Sequence, residues 1–324
     1  MKNLIALVAA CTIAAGSFAQ SKKVTVAADG SGDVKTVQAA LDLVPANNKA
    51  PFSIYIKNGT YHEKLRLDSG KNFVHMVGQS KDGVILTYED HPGMTNAQGK
   101  PVNTQNSESF LIAADDFTAE KITFRNDAGF TAGQAVAVQS RGDRMVFSDC
   151  QFIGNQDILF LNSERSRQYF THCYIEGTTD FIFGAATAWF DQCHIESKKN
   201  SHVTAASTPQ SHPFGFVFNE CKLTAKDTSL HRVSLGRPWR PYACVAYLHC
   251  EIGAHIMPEG FANWNNTESY KTARYSEYKD YGAGANPEGR VKWEHQLTDQ
   301  EAKAYTVKNV LAGKDNWNPL KQIK

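Results

Sequence analysis

The stretch C-Q-F-I-G-N-Q-D-I-L-F at 150–160 is followed, one spacer later, by C-Y-I-E-G-T-T-D-F-I-F-G at 173–184. Cys150 and Cys173, Phe152 and Ile175, Gly154 and Gly177, Asp157 and Asp180, and Phe160 and Phe183 recur at one offset of 23 residues. A fixed period of this size marks a repeat architecture. The register extends forward to Cys193 with Ile195, Cys221 with Leu223 and Cys250 with Ile252, and backward to Ile122 with Phe124. A cysteine and a branched or aromatic residue two positions on share one face of a strand. Their return every 20 to 29 residues suits an all-β chain wound as a right-handed parallel β-helix, each coil burying the same positions.

That winding brings Asp157 and Asp180 together, because equivalent positions in successive coils stack about 5 Å apart. Two carboxylates so close cannot both ionise cheaply. One is expected to stay an anion while the other becomes a proton donor. The competing interpretation is a polar turn ladder that only satisfies backbone amides.

Residues 1–19 carry a lysine at position 2, an apolar run and S-F-A before Gln20, which reads as a secretory signal peptide. The run is too short for a membrane span. The V-A-A-C around Cys11 leaves a lipoprotein cleavage site as the minor alternative. The mature chain, residues 20–324, is expected to form one β-helix domain working in a periplasm or outside the cell, as a monomer. A solenoid grows by adding coils and needs no second core.

A formal charge of +1 and the lack of a lysine-arginine run speak against nucleic acid as partner. Beyond Cys11 six cysteines remain, five on the ladder plus Cys244. Export suggests disulfides, but the ladder spacing favours buried thiols acting as small hydrophobes. With no C-x-x-C pair and scattered histidines, no metal site is expected.

At the N-terminus, Asp33 is placed to cap a helix through Val44, with Val37, Ala40, Leu41 and Val44 on one face and Pro45 ending it. Such a helix would cover the open end of the solenoid. The G-S-G at 30–32 lacks the rest of a phosphate loop and reads as a turn. Residues 88–109 are polar and weakly patterned, an excursion of the kind that lines a working face. The ladder register is lost from Glu268 onward, and T-D-Q-E at 298–301 opens a final helix expected over 298–311.

The motifs G-T-Y-H-E, G-Q-A-V-A-V, G-N-Q-D-I-L-F, D-F-I-F-G and L-G-R-P-W, in this order, resemble the pectin methylesterases, carbohydrate esterases on a right-handed parallel β-helix. The opening D-G-S-G-D-V-K-T-V-Q-A-A-L is similar too, so the resemblance spans the mature chain. It implies hydrolysis of the methyl esters of pectin without a cofactor or metal. It also implies Asp180 as nucleophile, Asp157 as acid then base, Gln134 and Gln156 as oxyanion hole, and Arg237 as the group holding Asp180. Trp239, Phe160, Phe183 and Arg237 would contact the sugar. Taken singly, the two glutamines read as backbone partners and Arg237-Pro238-Trp239 as a packing cluster. Phe160 and Ala185 depart from the tyrosine and asparagine common in the family, which bears on subsites rather than chemistry.

Two other readings stand beside this one: a non-catalytic or inactive polysaccharide-binding relative, and a lyase or glycosidase acting on the same polymer. A lyase would want a calcium-binding acid cluster. An inverting glycosidase would want carboxyls roughly 6.5 to 9.5 Å apart.

Overall fold

The computed structural model describes residues 22–97 and 99–323. The leader expected over 1–19, with Cys11, lies outside the described residues. The chain visits three parallel sheets in turn and forms a right-handed parallel β-helix. The first sheet has eleven strands, from Lys22–Val26 to Glu294–Gln296. The second has eight, from Gly59–His62 to Glu251–Ile252, and the third seven, from Leu65–Leu67 to Ser234–Gly236.

In the second sheet Phe124, Phe152, Ile175, Ile195, Leu223 and Ile252 stand in one register row. The ladder cysteines sit two residues before their row partners, and all six described cysteines are free and buried. Cys150 donates to the carbonyl of Ala119, on the coil before it, at 3.5 Å. Burial pushes its thiol up to about 12, so it stays protonated and packs as a small apolar group.

The first sheet contributes a second column inside the core. Phe147, Phe170, Phe190, Phe218 and Tyr247 stack nearly face to face with centroids 4.8, 4.6, 4.5 and 4.6 Å apart. The inter-strand spacing sets this separation and lies within the range favourable for aromatic pairs.

Three expectations are corrected. The N-terminal helix is Val37–Asp42, capped by Thr36, whose hydroxyl accepts from the Ala39 amide. Asp33 is not the cap, because its carboxylate accepts from the Thr25 amide instead at 2.7 Å. The final helix is two short ones, Asp299–Ala302 with the expected Thr298–Glu301 capping box, and Val307–Leu311. The chain breaks between them because Thr306 caps the second helix and Tyr305 turns against Phe214 at 5.3 Å. The ladder also continues past Glu268 in the first sheet, where Arg274–Tyr278 pairs with Cys244–Leu248. Only the cysteine row ends there. The tail brings Val310, Leu311 and Trp317 onto Val146, Tyr169, Trp189 and Val217, covering an apolar stripe outside the first sheet.

Candidate active site

The turns joining the second sheet to the third carry Gln134, Gln156, Asp157 and Asp180, while Arg237 and Trp239 follow the last strand of the third sheet. Asp157 and Asp180 adopt left-handed backbone conformations, with φ of 64° and 50°. This region is uncommon for residues other than glycine, and aspartate is among those that tolerate it best. The turn lets both carboxyls point away from the core while Ile158 and Phe181, the next residues, remain fully buried inside. Counting back two residues from the paired Leu159, Ile182 and Thr204 puts Asp157, Asp180 and His202 in one row on consecutive coils. The stacking on consecutive coils inferred from the 23-residue repeat is therefore present in the register.

The Arg237 guanidinium grips Asp180 with two bonds, Nε to Oδ1 at 3.0 Å and Nη2 to Oδ2 at 2.6 Å. Its other face lies 4.1 Å from the Trp264 ring centroid. The Asp180 carboxyl is lifted above its ordinary value by burial, which the Arg237 fork opposes. This differs from the net lowering that the arginine alone leads one to expect. Asp157 is pushed well above the usual carboxylate range, first by burial and then by the Asp180 charge. A hydrogen bond from Gln156 and the Arg237 cation pull the other way. The two acids thus have different environments, and the one held by arginine ionises first. His202, next in the row, is pushed down to about 4 by burial and by Arg237, so it adds no positive charge at neutral pH.

Above the pair opens a cavity of about 520 Å³. Gln134 and Gln156, joined by a parallel bridge, stand on one side with Asp157 and Asp180. Phe183, Trp239 and Trp264 form an aromatic flank, with Trp239 centred 6.0 Å from Phe183 and 6.4 Å from Trp264. Asn103, Thr104 and Gln105 complete the lining from the excursion at 88–109. Phe160 does not line the cavity: its ring is 1% exposed and stacks beneath Phe183 at 4.2 Å. It supports the aromatic flank from below.

Four of the five sequence motifs, all but G-T-Y-H-E, thus converge on one cavity. Trp264 lies outside the five motifs, yet it touches both Arg237 and the open space. Ala205, which also lines the cavity, carries no sequence signal, and only its register partner Phe183 locates it. Asn103, Thr104 and Gln105 were signalled only by the length and polarity of their loop.

A family model described as Pectinesterase matches residues 23–314. Over 292 residues the chain is 37% identical to pectinesterase 31 of Arabidopsis thaliana, covering 88% of this chain and 90% of that protein. Among solved structures, a pectin methylesterase from carrot is similar with a TM-score of 0.86 and 31% identity, over 93% of this chain and 96% of that one. A pectin methylesterase solved in complex with a hexasaccharide has a TM-score of 0.81 and 30% identity, over 93% of this chain and 99% of that one.

Proposed function

The chain belongs to the pectinesterase family, a carboxylic ester hydrolase of the pectin methylesterase kind, and from that premise we propose that it hydrolyses the methyl esters of homogalacturonan through an aspartyl acyl-enzyme. One observation carries the mechanism: an arginine-held Asp180 beside an Asp157 whose environment keeps it protonated.

Asp180, as the anion, attacks the ester carbonyl carbon, and Arg237 fixes its orientation. The charge that develops on the carbonyl oxygen is taken by the Gln134 and Gln156 amides, neutral donors whose contribution to such steps is typically a few kcal/mol each. As the bond between C6 and the methoxy oxygen breaks, Asp157 gives its proton to the departing methoxide and methanol leaves. The product is an anhydride between Asp180 and the sugar's C6 carboxyl. Asp157, now an anion, takes a proton from water as that water attacks C6. Asp180 departs as carboxylate, Asp157 is again protonated, and a free galacturonate carboxylate remains. No step calls for a metal or cofactor.

Trp239, with Phe183 beside it, offers an apolar face to the sugar. The working unit is residues 20–324, acting as a monomer, with residues 1–19 as the leader for export to a periplasm or the exterior. The test is methanol release from highly methylated pectin, with Asp157→Asn in parallel. Methanol from the wild type without chain shortening or new unsaturation, and little from the variant, supports the reading. No methanol from folded wild type would favour a non-catalytic polysaccharide binder, and shortened chains or unsaturated ends would favour a glycosidase or lyase.

A further inference from the structure

The turns between the second and third sheets differ in length. Residues 154–158, 178–181 and 198–201 are short crossings, whereas 89–109 and 127–137, on the N-terminal side, are longer excursions. Gln134, in the second of these excursions, lines the cavity. Four residues before it stands Phe130, 51% exposed. Five other large hydrophobic side chains among the described residues are comparably open. Leu43, Tyr55 and Phe73 lie with the N-terminal helix and the first sheet, and Tyr281 and Leu320 lie in the tail. Phe130 alone of the six shares a loop with a residue that lines the cavity.

Its loop is anchored rather than loose. Asn155, next to Gln156, donates from Nδ2 to the Ala128 carbonyl at 2.9 Å, and the Ala128 amide donates to Asn126 at 2.9 Å. Ala132 closes the tip with a bond to the Gly129 carbonyl at 3.0 Å. A Cβ built on Gly129 or Gly133 would meet nothing within 4 Å, so space is open on both sides of the ring's segment. An exposed aromatic on a braced backbone, with clear approach, has an apolar face that water serves poorly and that the C–H face of a pyranose fits. Four residues span at most about 14 Å, within reach of neighbouring units of a polymer whose esterified unit occupies the cavity.

We propose that Phe130 is the platform of an outer saccharide subsite, stacking on a galacturonate ring away from the unit that reacts. The proposal rests on the pectin methylesterase reading. It makes Phe130 a determinant of preference for long over short substrates, with no part in bond breaking.

The experiment compares wild type, Phe130→Ala and Phe130→Trp on methylated polymer and on a methylated oligomer of about three units. Phe130→Ala is expected to lose about tenfold in kcat/KM on the polymer, carried by KM, and less than twofold on the short oligomer. Phe130→Trp should restore the polymer value, and melting temperature should hold in both variants. Equal losses on both substrates, or none on the polymer, would overturn the proposal. Calorimetric titration with a long oligogalacturonide is run alongside: weaker binding by Phe130→Ala is expected, and unchanged binding would refute the subsite. Wild type that binds but releases no methanol would instead overturn the esterase reading and leave the subsite measurable.

Discussion

Replacing Arg237 with lysine keeps the positive charge beside Asp180 and removes the fork. The present pair makes two bonds, at 3.0 and 2.6 Å, between side chains only 16% and 7% exposed. An ammonium cannot reproduce that planar two-point grip. One charge-assisted hydrogen bond at such a site is worth about 1.5–3 kcal/mol. Losing the guanidinium face from Trp264, now at 4.1 Å, costs about 0.5–1 kcal/mol more. The sum, about 2–4 kcal/mol, corresponds to a fall of roughly 30- to 1000-fold in kcat/KM. The pH dependence separates positioning from mere stability. Asp180 must be ionised to attack, burial raises its pKa and the fork opposes that rise. A weaker partner therefore leaves the pKa higher, and the acid limb of the rate profile moves toward higher pH. The deficit should be largest in acid and shrink as pH rises. A pH-stat recording carboxyl release, with melting temperatures at each pH, measures both. Near-wild-type rates, or a uniform loss with an unmoved acid limb, would refute the role given to Arg237.

Asp180→Ala should abolish turnover with the fold intact, and wild-type-like methanol release would remove Asp180 as nucleophile. Asp157→Asn should abolish turnover yet raise the melting temperature at neutral pH. A carboxyl whose folded pKa is raised contributes stability that is complete below its unfolded value and is lost as pH rises through the folded one, at about 1.4 kcal/mol per tenfold change in proton affinity. The two melting curves should converge near pH 4, and a variant no more stable at pH 8 would contradict the buried, protonated state. Cys150→Ala should cost about 1–2 kcal/mol of stability through lost packing, with kcat/KM unchanged. Chemical denaturation checks the first part, and a rate loss at unchanged stability would contradict the core position.

The winding was legible because side-chain alternation in strands is strict: a cysteine and a residue two positions on must share a face, so their common period names the buried row. The same period placed Asp157 over Asp180. The aromatic column lies three residues before each ladder cysteine, in phase with it, but its stacking shows only through the register. Long-range partners were less accessible. Trp264 reaches Arg237 through a turn whose course no local pattern fixes, and Asn103, Thr104 and Gln105 arrive on an aperiodic loop. The net rise at Asp180 is not legible in the sequence because burial depends on everything packed around the residue, while sequence shows only the arginine. Asp33 failed as a cap for a similar reason: a strand amide eight residues back competed for it and won.

Each coil of this protein is paired only with the coil on either side. Thermal opening of such an array starts at its two ends and travels inward, one rung at a time. Asp157 and Asp180 sit on middle rungs of the third sheet, whereas Arg237 follows its last strand, Ser234–Gly236. Amide protons near the aspartates should therefore exchange with solvent more slowly than those around Arg237 and Trp264. Fraying from the C-terminal end would disarm the nucleophile's partner well before it disturbed the nucleophile, making loss of activity an earlier event on heating than loss of the solenoid.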